Sequence, residues 1–124
     1  MTKTLYERLG GKEGISLIVD DTVNAHMNNP AINARFLPFK EKPEQLAIIK
    51  KHTIDFFCAG SGGPEQYQGK DMIKTHTGMN ISPGEYMHVM DDIFSALDKN
   101  SISEDSKKDV LAILWSLKGM IISK

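Results

Sequence analysis

No window of the 124-residue chain alternates polar and apolar side chains with period two, while its apolar stripes recur at spacings of three and four. A half-buried strand needs the first pattern and an amphipathic helix the second, so the sequence is confined to an all-α fold. Turn residues cut the helical pattern into pieces. Thr4-Leu5-Tyr6-Glu7 has capping-box spacing, and the short helix it opens has to end at Gly10-Gly11, where the missing Cβ atoms let the backbone turn. Ile15, Ile18, Val19 and Val23 form one stripe of a second helix, which runs out at Asn28-Asn29-Pro30 because proline disfavours helix in the residue before it. The chain then passes Ile32 and Phe36 into an apolar corner, Leu37-Pro38-Phe39.

A third long helix is expected from about Pro43 to Phe57, with Leu46, Ile49, Thr53 and Phe56 along one face and His52 at its edge. Gly60-Ser61-Gly62-Gly63-Pro64 ends it and is expected to be the most flexible loop of the chain. Helical character is weak and short from Tyr67 to His76, with Gly69 interrupting it early. Ser82-Pro83-Gly84-Glu85 is a strong start signal, followed by the stripe Tyr86, Met90, Ile93, Phe94 and Leu97. The last helix opens near Ser103, with Glu104 and Asp105 at its positive end, and carries Val110, Leu114, Leu117 and Ile121. The expectation is six or so helices of uneven length in a single domain spanning residues 1–124, a length suited to one core.

Charge and composition exclude several classes of function. Sixteen acidic against fifteen basic residues leave a net charge of −1, without the basic excess of a nucleic-acid surface. A hydrophobic share of 40% rules out a disordered chain. The single cysteine, Cys58, cannot close an intrachain disulfide, which points to a reducing compartment. No apolar run nears the roughly 18 residues that span a bilayer, and the start turns polar too early for a signal peptide, so the expected location is the cytoplasm, away from membranes.

Nucleophile-elbow, phosphate-loop, HExxH and CxxC motifs are absent, which leaves four histidines as the versatile groups. His88 should face solvent between Met87 and Val89. His26, in the last turn of its helix, suits the negative dipole end. His52 reads either as a core or surface histidine or as a ligand beside Ile49 and Phe56. His76 follows Met72 and Ile73 by four and three residues, and Thr75 or the Met72 carbonyl is placed to orient its ring as a metal ligand requires. Seven methionines suit a flat cofactor or ordinary gap-filling equally well. From the residue types alone the reading stops at a helical domain, with or without a cofactor.

Several segments carry a more specific resemblance: Leu5-Tyr6-Glu7-Arg8-Leu9-Gly10-Gly11, the run from Gly62-Gly63-Pro64 through Tyr67-Gln68-Gly69-Lys70-Asp71-Met72, then Lys74-Thr75-His76, Met79-Asn80-Ile81 and Leu117-Lys118-Gly119. In this order and spacing the chain resembles a truncated haemoglobin of the group I type over nearly its whole length. The resemblance implies a two-over-two helical sandwich around haem b. It puts His76 at the proximal iron ligand, Phe36 against the porphyrin, and Met72 on the proximal face. Lys70 and Lys74 are placed to pair with the propionates or simply to be solvated.

On the distal side the chain departs from the family pattern. Val23 stands where many members carry a ligand-binding tyrosine and Ile49 where they often carry glutamine, leaving His52 and Thr53 as the polar candidates. A donor to a charged acceptor is worth on the order of 1.5–3 kcal/mol, so a Val/Ile pocket should release oxygen faster than a Tyr/Gln one. Some relatives bind iron directly with a distal-helix histidine, the role the resemblance offers His52. Others crosslink haem to a histidine of the last helix, a route closed here because no histidine follows His88. The implied function is reversible binding of O2, with NO and CO as further ligands, in a monomer. The alternatives are a haem enzyme that removes NO or peroxide and a six-coordinate electron-transfer globin. With no reductase domain in the sequence, turnover would need a separate, unknown reductase.

Overall fold

The computed structural model describes residues 3–65, 67 and 72–124. Among these, six α-helices run in order: α1 Leu5–Arg8, α2 Gly11–Asn28, α3 Pro43–Gly60, α4 Met72–His76, α5 Pro83–Lys99 and α6 Glu104–Ile121. Two 3-10 turns, Asn33–Arg35 and Leu37–Glu41, fill the apolar corner between α2 and α3. The described residues include no strand, only an isolated parallel bridge from Ile81 to Ile122.

The helix starts are chemical. Thr4 Oγ1 accepts from the Glu7 amide at 3.2 Å while the Glu7 carboxylate accepts from the Thr4 amide at 3.2 Å. Ser82 and Glu85 repeat the exchange at 3.1 and 3.2 Å, and Ser103 Oγ accepts from Ser106 N at 3.3 Å. Between α1 and α2 the chain reverses through Gly10 and Gly11, at φ +94° and +67°, a region that L side chains rarely enter.

Packing then follows the stripes. α2 lies across α5 and against α3, α5 pairs with α6, and α4 rests on α6. Ile15, Ile18, Val19 and Val23 are all buried, facing Tyr86, Met90, Ile93, Ala96 and Leu97 of α5 and Val110, Leu114 and Ile121 of α6. Phe94 and Leu117 pack half-buried at the margin. The Tyr86 hydroxyl, inside this core, donates to the Leu114 carbonyl at 2.5 Å.

Two expectations need correction. α3 continues one turn past Phe57, and its buried positions are Asp55 and Cys58, with Leu46, Ile54 and Phe57 packed against the core. The Gly60–Pro64 segment is a tied turn rather than a loose loop. Ser61 is buried, its carbonyl accepts from Tyr6 N at 2.8 Å, and Gly63 N donates to the Cys58 carbonyl at 2.8 Å. A Cβ on Gly63 would stand 2.4 Å from the Tyr6 ring, so glycine here makes room for an aromatic side chain.

Candidate functional site

His76 ends the five-residue helix α4, and its Nδ1 lies 2.8 Å from the carbonyl of Met72, four residues earlier. A carbonyl only accepts, so Nδ1 carries the proton and the Nε2 lone pair is left for a metal, the arrangement that fixes tautomer and ring plane in metal-bound imidazoles. Met72 is half-buried, as is His76. The turn behind His76 is held by backbone bonds to the last residues of the chain: Gly78 N donates to the Lys124 carbonyl at 2.9 Å and Ser123 N to the Ile81 carbonyl at 2.8 Å. Among the described residues no three His, Cys, Asp or Glu side chains are grouped to hold a bare ion. A metal on His76 therefore needs its other donors from a bound group.

Phe36 is brought to the same end of the molecule through its neighbour. Arg35 donates from Nε to Glu85 Oε2 at 2.5 Å and from Nη2 to the Met79 carbonyl at 2.9 Å, which clamps the turn carrying Phe36 to the turn that follows His76. The Arg35 guanidinium beside it holds the Glu85 carboxyl down at about 2. The Phe36 ring stacks on the imidazole of His26, centroids 4.7 Å apart and planes inclined by 28°. His26 lies in the last turn of α2, as expected, and is 6% exposed, with Nδ1 2.7 Å from Asp92 Oδ2. Burial pushes its pKa down, and Asp92 partly opposes that.

On α3, residues 49, 52, 53 and 56 share a face that the core does not use. Ile49 remains 39% exposed and Phe56 half-buried. Thr53 Oγ1 donates to the Ile49 carbonyl at 2.8 Å, so its one hydroxyl proton is committed within the helix. His52 Nδ1 is buried without a hydrogen-bond partner. Its ring meets the edge of Tyr67 at 6.1 Å, and Tyr67 meets Phe56 at 5.3 Å. Val23 is buried within the core on α2, Lys74 is exposed on α4, and Lys70 lies outside the described residues. His88 is exposed, as expected.

Beside His76, Ile73 of α4 is 47% exposed and Met79 of the following turn 37%, so the core leaves both uncovered; elsewhere Leu37 is 37% exposed and Ile49 39%. A groove of about 250 Å³ between α2 and α3 is a different feature, lined by Lys12, Asp20, Lys50, Lys51 and Asp55 among others; none of the residues above contributes to it. The His76 side, with one oriented imidazole next to the exposed Ile73 and Met79, suits a flat metal-bearing macrocycle.

The sequence profile of the bacterial-like globin family matches residues 4–123. The chain belongs to that family. As a globin it is one of a family that binds haem b and gaseous ligands. Its relatives include the group 1 truncated hemoglobin GlbN of Nostoc sp. (strain MUN 8820), 26% identical over 121 residues that make up 98% of each chain. Among solved structures, the truncated hemoglobin from Tetrahymena pyriformis in its Fe(III) form aligns with a TM-score of 0.88 at 20% identity, covering 98% of this globin and 100% of that chain. The 2/2 hemoglobin from Synechococcus sp. PCC 7002, cyanomet and with covalently attached heme, aligns with a TM-score of 0.81 at 22% identity over 94% of each. The fold of this globin is the two-over-two helical sandwich: α2 with α3 and α5 with α6, stacked where α2 crosses α5.

The sequence pattern carries no sign that Arg35 pairs with Glu85 or His26 with Asp92. Glu85 was visible only as a capping residue, and nothing local to His26 signalled an acid 66 positions away.

Proposed function

We propose that this globin holds haem b through His76 and binds O2, and with it NO and CO, reversibly. The observation that carries the proposal is the His76 Nδ1 to Met72 carbonyl contact of 2.8 Å, which frees Nε2 on a helix whose Ile73 the core leaves 47% exposed. When bound, haem supplies an iron with a position open to a diatomic ligand.

The protein's own residues do the rest. Met72 orients His76, Phe36 offers a ring to one face of the porphyrin, and Ile49 and Val23 make the ligand side apolar. Lys74, and Lys70 outside the described residues, offer cations to the propionates. Thr53 adds no donor, because its proton is held by the Ile49 carbonyl at 2.8 Å. His76→Ala should abolish stable haemin uptake, and added imidazole should partly restore the spectrum. Normal haemin affinity in His76→Ala would overturn the assignment.

One observation favours a six-coordinate variant of the same reading. The buried Nδ1 of His52 has no partner, and an unsatisfied buried polar atom costs about 1–3 kcal/mol, so the ring gains by moving to one. The visible spectrum of the dithionite-reduced, ligand-free protein separates the two. A broad five-coordinate band places His52 off the iron; sharp, split bands that vanish in His52→Leu place it on.

A further inference from the structure

We propose that His26 is a positioning residue for haem: braced by Asp92, its imidazole sets the plane of the Phe36 ring before the cofactor arrives. The proposal rests on the haem-binding reading above.

Phe36 needs such a support because it stands outside the hydrophobic core cluster, and its ring is half-buried. The aromatic neighbour it has among the described residues is His26, at 4.7 Å in offset stacking. The imidazole is in turn fixed by Asp92 at 2.7 Å on α5. The same carboxylate receives the Asn29 side-chain amide on both oxygens, at 3.3 Å each. Asn29 caps the end of α2 and carries the bracing into the turn. Its Oδ1 accepts from Ala31 N at 3.1 Å, its carbonyl accepts from Asn33 N at 2.8 Å, and the Asn33 carbonyl accepts from Phe36 N at 2.9 Å. One half-buried carboxylate therefore holds Phe36 twice, at the backbone through Asn29 and at the ring through His26.

A polar pair is an expensive way to fill this space. An apolar side chain at residue 26 would pack against Phe36 without losing hydration, whereas a buried imidazole and carboxylate must compensate each other. What the pair adds is direction: a hydrogen-bonded ring cannot rotate freely, and a ring stacked on it inherits the plane.

The test is a double-mutant cycle on the full chain with haemin as probe. His26→Leu should weaken haemin binding about five- to tenfold, the scale of one lost aromatic contact. In a Phe36→Leu background the same change should have no effect. Asp92→Asn, which keeps an oxygen for His26, should retain near-parental affinity, while Asp92→Leu should match His26→Leu. In haem-free protein carrying ¹³C-labelled phenylalanine, His26→Leu should average the Phe36 ring resonances without broad changes elsewhere. Unchanged affinity in a folded His26→Leu protein, or an equal loss with and without Phe36, overturns the positioning role alone. Parental protein that takes up no haemin overturns the haem reading and this proposal with it.

Discussion

Replacing Ile49 by glutamine tests the account of the ligand side most directly. Ile49 shares its face of α3 with His52, Thr53 and Phe56, stands outside the core cluster, and is 39% exposed. The replacement therefore vacates little packed space and should cost under about 1 kcal/mol of stability. On the ligand side it changes more. Thr53 gives its proton to the Ile49 carbonyl at 2.8 Å, so of residues 49, 52, 53 and 56 only the His52 ring has a side-chain donor to offer. A glutamine amide adds a donor toward a ligand that draws negative charge from ferrous iron. Such a bond is worth about 1.5–3 kcal/mol, which slows O2 dissociation roughly 10- to 150-fold. The assay is stopped-flow displacement of O2 from the ferrous protein, alongside CO. CO accumulates less charge, so its dissociation should move far less. An O2 rate within a factor of two of the parent, in a variant with unchanged melting, would refute the placement of Ile49 beside the ligand. Repeating the measurement with His52→Leu shows whether the parent's own rate depends on His52.

Three further changes probe the scaffold. Gly14→Ala puts a Cβ 2.2 Å from the Leu9 carbonyl oxygen, a backbone atom that cannot swing aside, so the α1–α2 corner must open; a loss of about 2–4 kcal/mol is expected by urea unfolding. The Glu85 carboxyl, held at about 2 by Arg35, stabilises the fold above the ordinary carboxylate pKa of about 4.5, and that contribution fades as pH falls from there toward 2. Because the pair is partly solvated, about 1 kcal/mol of pH-dependent stability should disappear from acid melts of Glu85→Gln. Cys58, fully buried and with its thiol pushed up to about 11, should resist Ellman's reagent at pH 8 in the native protein and react at once in denaturant.

Element boundaries were legible because they are set by near neighbours. The Thr4/Glu7 and Ser82/Glu85 boxes join residues three apart, and both formed as written in the sequence. The α2 stripe was legible because all four of its members meet one partner surface. Where the reading fell short, the deciding contact was distant in sequence. Gly63 looked like loop glycine until the Tyr6 ring was seen beside it. His26 read only as suited to the negative end of its helix because Asp92 lies on another helix, and Arg35 carried no local signal because Glu85 is 50 residues on. Periodicity carries no information about such pairs.

The α3 face shows a different limit. Periodicity marks a helix face as apolar but cannot say what covers it. Cys58 is buried in the core and the half-buried Leu46, Ile54 and Phe57 pack against it, whereas Ile49 is left 39% exposed and the half-buried Phe56 stands outside that cluster. Both sets look alike in the sequence, since a helix lined for its own core and one lined for a cofactor use the same residue types at the same spacing. What separates them is a polar atom out of place. His52 Nδ1, buried without a partner, is costly in a closed core and reasonable beside a metal. His76, with Nδ1 already spent on Met72, presents its other nitrogen for the same kind of partner. The resemblance to truncated haemoglobins singled out these two histidines, and the orphaned and the half-satisfied imidazole give that choice a physical reason.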